Sequence, residues 1–118
     1  MLFRSETLYA EGYHNVTAVD VSEDALSRIT VPVVKVVSSL ENLHVHLNRS
    51  YDVVYCFDVL YHIIDEGNFH AAIENICRAS SKYIFIHGMF PALLHIHLTK
   101  HVKFRPLSTY DKIGRAHV

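Results

Sequence analysis

The sequence predicts an α/β fold, a mostly parallel sheet with helices on both faces. Three observations lead there. Runs rich in β-branched and aromatic residues recur at Asn15–Val21, Val33–Val37, Tyr51–Cys56 and Lys82–His87, each short and bounded by polar or turn-forming residues. Helical segments separate them. The clearest carries Phe69, Ala72, Ile73, Ile76 and Cys77 at the i, i+3, i+4, i+7, i+8 spacing of one buried stripe. Finally, Val33-Val34-Lys35-Val36-Val37 is almost continuously apolar, which predicts burial on both faces as in parallel sheets. Strands alternating with helices imply βαβ units with right-handed crossovers.

In chain order, Glu6–Glu11 has room for only the last turns of a helix, and Gly12 suits the left-handed position that ends one. The strand Asn15–Val21 closes near Asp20. Ser22 or Asp20 can cap the next helix, whose first turn holds Glu23 and Asp24, where the helix dipole favours acids. Thr30 and Pro32 are expected to end it. Ser38–Ser50 reads as loop or short helix. A long helix starts at Asp65 and reaches about Ser80, and Gly88 stops the strand that follows.

Composition narrows the function. The chain has 118 residues, room for one domain at most, and half are hydrophobic. A net charge of −1 and no basic block leave no nucleic-acid footprint. The most apolar stretch, Tyr83–Leu98, is interrupted by His87, Gly88, Pro91, His95 and His97 and is too short to span a bilayer. Cys56 and Cys77 lie in apolar segments without CxxC spacing, so buried thiols in a reducing, cytoplasmic setting are expected rather than a disulfide. The ends have a different character. Back-translated, Leu2-Phe3-Arg4-Ser5 and Ile113-Gly114-Arg115-Ala116-His117-Val118 resemble one sequencing-adapter end read in its two orientations. Residues 1–5 and 113–118 are therefore expected to be translated adapter, flanking a partial domain of residues 6–112.

Sheets of this kind bind ligands beyond the carboxyl ends of their strands. That singles out Asp20, Ser38–Leu40, Cys56–His62 and His87–Phe90. A carboxylate in Asp20's position can accept hydrogen bonds from both hydroxyls of a ribose, or serve as a plain helix cap. His62 and His87, both at strand exits, are candidate bases for a substrate hydroxyl, since imidazole titrates near neutrality. The chain has ten histidines, including the pair His44 and His46 and the i, i+4 pair His97 and His101. No nearby Cys or Glu completes a ligand set, and no metal is predicted.

The order of motifs carries a resemblance. Gly12-Tyr13-His14-Asn15-Val16-Thr17-Ala18-Val19-Asp20-Val21-Ser22-Glu23-Asp24-Ala25-Leu26 resembles the segment after the glycine-rich loop of class I S-adenosylmethionine-dependent methyltransferases, where a strand closes in V-D-x-S before an acidic helix start. Tyr51-Asp52-Val53-Val54-Tyr55-Cys56-Phe57-Asp58-Val59-Leu60-Tyr61-His62-Ile63-Ile64-Asp65 is similar to that family's fourth-strand motif, Y/F-D-V-V followed by V-L-x-H-I/L. Cys77–Ser80 and Tyr83–Ile86 match the helix-to-strand unit that follows. His101–Tyr110 resembles a later segment of many small-molecule members.

The resemblance implies a partial Rossmann-like methyltransferase fold. The family's central first strand and its G-x-G-x-G loop should precede Glu6, and nothing like them stands in this sequence. It further implies S-adenosylmethionine as cofactor and a small-molecule acceptor, with no nucleic-acid or membrane partner. Asp20 would be the ribose ligand and Val21 would pack near the adenine, whose edge would meet the loop around Ser39 and Leu40. Cys56, Phe57 and Asp58 would lie beside the methionine part, mainly through backbone groups. His62 would face the mouth of the site, packing beneath the cofactor in preference to acting as a base. Met89, Phe90, Pro91, Leu93 and Leu94 would contribute to an acceptor pocket or lid. Two alternatives stand beside this reading: a nicotinamide-dependent α/β oxidoreductase, and a degenerate, non-catalytic interaction domain.

Overall fold

The structure, a computed structural model, describes residues 4–88, 96–99 and 102–115. The chain divides into two compact units, Met1–Ser39 and Leu40–Val118, each with its own core.

The first unit holds α1 (Arg4–Ala10), β1 (Thr17–Asp20), α2 (Glu23–Ser27) and β2 (Val34–Val37). Gly12 closes α1 with φ +101°, the left-handed conformation expected of it. The Glu6 carboxylate accepts the backbone N–H and the hydroxyl of Thr30, both at 2.9 Å, which ties α1 to the segment after α2. β1 and β2 run parallel, in register from Thr17↔Val34 to Asp20↔Val37. Ala18, Leu26 and Ile29 form the core, with Val31 and Val33 packed against them. Two expectations fail here. α2 stops at Ser27, short of Thr30, because the chain tightens through bonds from Arg28 N–H to Ala25 and Ile29 N–H to Leu26, turning Ile29 into the core. β2 is not buried on both faces: Val34 is 62% and Val37 48% exposed. Among the described residues β2 pairs only with β1, and a core of three buried side chains covers little of such a pair.

The second unit opens with a 3₁₀ turn (Leu40–Asn42) and α3 (Leu43–His46). It continues through β3 (Tyr51–Phe57), a second 3₁₀ turn (Leu60–His62), α4 (Glu66–Ala79) and β4 (Ser80–His87). β5 (Ile96–Thr99), β6 (Val102–Phe104) and α5 (Leu107–Arg115) complete it. Asp65 caps α4 by accepting the N–H of Asn68 at 2.8 Å. The apolar stripe is buried as expected at Phe69, Ala72, Ile73 and Ile76, and Cys77 is half-buried. α4 passes into β4 at Ser80 without a loop. β4 then pairs parallel with β3, from Val53↔Tyr83 to Phe57↔His87. Asn75, buried on α4, donates its amide to the carbonyls of Leu40 (2.8 Å) and Glu41 (3.1 Å), holding the first 3₁₀ turn in place.

Cys56, Leu60, Tyr110 and Ile113 join the α4 stripe to make the core. Ile113 is buried at 6% exposure, and α5 runs through the boundary expected at residue 112. On the opposite face of β3–β4, Tyr55 and Phe85 stack at 5.3 Å while 44% and 49% exposed. The helices packed on this strand pair therefore cover one face among the described residues. β5 and β6 form an antiparallel pair that the alternating pattern does not anticipate. Among the described residues, no helix is long and apolar enough to cross a membrane. The expected lid residues Met89, Phe90, Pro91, Leu93 and Leu94, together with His101, Met1–Phe3 and residues 116–118, lie outside the described residues.

Candidate functional site

In the first unit, β1 delivers Asp20 to its carboxyl end, exposed. The Asp20 carbonyl accepts the N–H of Ser38 at 3.0 Å, continuing the β1–β2 pairing by one residue. One carboxylate oxygen, Oδ1, accepts the N–H of Ser22 at 2.8 Å. Capping of α2 falls to Ser22, whose hydroxyl oxygen accepts the N–H of Ala25 at 3.1 Å. The second carboxylate oxygen of Asp20 has no protein partner among the described residues. Val21, beside it, is 69% exposed, an apolar surface available to a flat ring. Ser38 is buried and donates its hydroxyl to the carbonyl of Ser39 at 2.7 Å; Ser39 itself is half-buried. The Asp20 carboxylate therefore keeps acceptor capacity for a hydroxyl donor beside an exposed apolar side chain. No glycine-rich turn accompanies them in this chain.

In the second unit, Leu40 packs against the core and Cys56 is buried within it. Burial pushes the Cys56 thiol up to about 12, so it stays protonated within the core. Cys77, also free, is shifted upward by burial too. Phe57, half-buried, ends β3, and Asp58 follows with φ +55°, a left-handed conformation that aspartate tolerates better than most residues. The Asp58 N–H donates to the carbonyl of His87 at 2.8 Å, and its Oδ1 lies 3.1 Å from His87 Nδ1. His62 sits exposed in the second 3₁₀ turn, its N–H bonded to Val59 at 3.0 Å and its ring 4.5 Å from that of Tyr61.

That turn is gripped from behind. Arg105 is wholly buried, and its guanidinium donates to the carbonyls of Ile63 (2.8 Å) and Ile64 (3.2 Å), the two residues after His62. It also pairs with Glu66 at 3.1 Å and lies 3.8 Å over the Phe69 ring. Lys103 meets the same carboxylate. Burial alone would raise the Glu66 carboxyl, but hydrogen bonds from Lys103 and Arg105, and their charges, outweigh it and hold the group below its ordinary value. Arg105 Nε is buried without a partner among the described residues.

The structure thus brings Asp58 and His87 together, named in the sequence for different roles, and it links Asp20 to Ser38. The signal for the first pairing is their shared position, since each stands where one of two adjacent strands ends. Arg105 was not singled out in the sequence reading; its only trace is a cation set between Phe104 and Pro106. Among the described residues, no group of three His, Cys, Asp or Glu side chains is arranged to hold a metal ion. His44 is engaged instead with Asn75, Nδ1 to Nδ2, at 3.3 Å.

A family model described as "Methyltransferase domain" matches residues 4–85, more than half of the chain, from α1 through most of β4. No curated protein and no solved structure matches.

Proposed function

The chain belongs to the methyltransferase domain family, as a class I member, and from that premise we propose that it serves methyl transfer from S-adenosylmethionine to a small-molecule acceptor. The observation that carries this reading is the family match across both strand-end segments, 15–26 and 51–65, that hold the candidate residues. It does not favour the nicotinamide-dependent alternative. Asp20 would accept the ribose hydroxyls through its unengaged oxygen, and Val21 would lie against the adenine, with Ser39 and Leu40 at its edge. The backbone of Cys56, Phe57 and Asp58, with His62 nearby, would meet the methionine portion. When bound, the cofactor supplies a sulfonium methyl group that is already activated, so the chain's task is chiefly to orient the acceptor and exclude water. The similarity of 101–110 to small-molecule members supports a small acceptor, and two free thiols support a reducing, cytoplasmic location.

Calorimetric titration of the intact genome-encoded protein with S-adenosylhomocysteine tests the reading. Binding is expected, and Asp20→Ala should weaken it by about 1–3 kcal/mol, the loss of a charge-assisted hydrogen-bond partner. Unchanged affinity in that variant removes Asp20 from the site, and no binding by the wild type removes the reading.

A further inference from the structure

Two strand ends meet at a single imidazole. β3 and β4 are parallel with Phe57 opposite His87, so Asp58 leaves the sheet at the point where His87 ends it. The N–H of Asp58 bonds the carbonyl of His87 at 2.8 Å, and the left-handed backbone of Asp58 accompanies a carboxylate 3.1 Å from His87 Nδ1. The Phe57 ring meets the imidazole edge-on, with centroids 6.0 Å apart. An ionised carboxylate only accepts hydrogen bonds, so Nδ1 must be the nitrogen that carries hydrogen. In the neutral ring the lone pair then lies on Nε2, which has no protein partner among the described residues. His87 is 63% exposed and Asp58 48%, so an incoming molecule can reach the ring. An ion pair this wet contributes little to stability, which leaves a structural role poorly supported.

We propose that Asp58 and His87 form a base dyad for a hydroxyl acceptor: His87 Nε2 takes the acceptor's proton, and Asp58 is a positioning residue that sets the tautomer. The inference rests on the methyl-transfer reading. The acceptor O–H bond breaks and its proton goes to Nε2, giving an imidazolium that faces the Asp58 carboxylate. The acceptor oxygen forms the new O–C bond as the C–S bond to the sulfonium breaks, its electron pair staying on sulfur. The proton later leaves His87 for water. His62 lacks such an arrangement, since no carboxylate is bonded to its ring among the described residues.

The tautomer is directly readable. Long-range proton–nitrogen NMR on this chain at about pH 9, where imidazoles are neutral, should show His87 protonated on Nδ1. Asp58→Gly, which keeps the left-handed backbone without strain, should shift it towards the Nε2-protonated form that is ordinary for free imidazole. Wild-type His87 protonated on Nε2, or a tautomer indifferent to Asp58→Gly, overturns the dyad. In the intact protein, with S-adenosylmethionine and phenol as the hydroxyl probe, His87→Gln should slow formation of S-adenosylhomocysteine about a hundredfold or more. Its calorimetric affinity for S-adenosylhomocysteine should stay unchanged. Equal rates in wild type and variant, or a variant that loses binding, overturn the assigned role while leaving the methyl-transfer reading in place. Failure of the wild type to bind S-adenosylhomocysteine removes that reading, and the role with it.

Discussion

Arg105 is a cation with no exposed surface, while the carboxylate of its partner Glu66 is half in water. That asymmetry decides which member of the pair matters more to stability. Removing Glu66 strands a guanidinium in the core with carbonyl partners but no counter-charge, whereas removing Arg105 leaves a carboxylate that water can solvate. Glu66→Ala should therefore lower the unfolding free energy by about 3 kcal/mol or more. Arg105→Met, which keeps the packing on Phe69, should cost about 1–2 kcal/mol for its lost carbonyl bonds. Denaturant titration of both variants checks the order; a costlier Arg105→Met would contradict it. The Glu66 carboxylate, held by Lys103 as well as Arg105, also makes stability depend on pH. Glu66's folded value lies below the ordinary 4.5, so its contribution is whole above 4.5 and is lost as pH falls through the lower folded value. The denaturation midpoint should drop on acidification below 4.5, and Glu66→Gln should flatten that part of the profile.

At the scale of the element, α4 is the organising piece of its unit. Its N-terminus is set by the Asp65 side chain, its stripe supplies half of the eight buried residues of the core cluster, and its end becomes β4 with no intervening loop. Asp65→Ala should cost about 1 kcal/mol through loss of the cap. Phe69→Ala, which removes a side chain with no exposed surface from beneath Arg105, should cost about 3–5 kcal/mol. Thermal unfolding followed by circular dichroism would rank the two, and a cap variant as damaging as Phe69→Ala would refute the assignment of stability to the buried stripe.

Over the whole molecule, the two units differ in the resources of their cores. The core cluster of one holds Ala18, Leu26 and Ile29; that of the other holds eight buried residues, including an aromatic pair, Phe69 and Tyr110, at 5.2 Å. Few buried apolar contacts mean low local stability. Hydrogen exchange should therefore be faster at the β1–β2 amides than at those of β3, β4 and α4. Equal protection across both strand pairs would show that burial within each unit does not govern local opening. Asp20 belongs to the less protected unit, so ordering of β1 and β2 when a ligand binds should appear as new protection at Val19 and Asp20.

What could be read from the sequence was whatever depends on neighbours along the chain. The spacing of Phe69, Ala72, Ile73 and Ile76 encodes which side of α4 is buried, Asp65 and Ser22 encode where helices start, and Gly12 encodes where one stops, because caps and stripes are local geometry. The strand ends at Asp20 and Cys56–Asp58 were legible for the same reason, and the order of those motifs carried the family. Only the tertiary structure decided the rest. β2 looks doubly buried by composition, yet Val34 and Val37 are exposed, since burial depends on which strands and helices arrive from elsewhere in the chain. Arg105 is charged and would be placed outside by composition, but carbonyls and a carboxylate some forty positions away satisfy it. Asp58 and His87, 29 residues apart, become partners only through the parallel register of β3 and β4. Pairings across such distances depend on the packing of whole elements, which no local pattern of residues records.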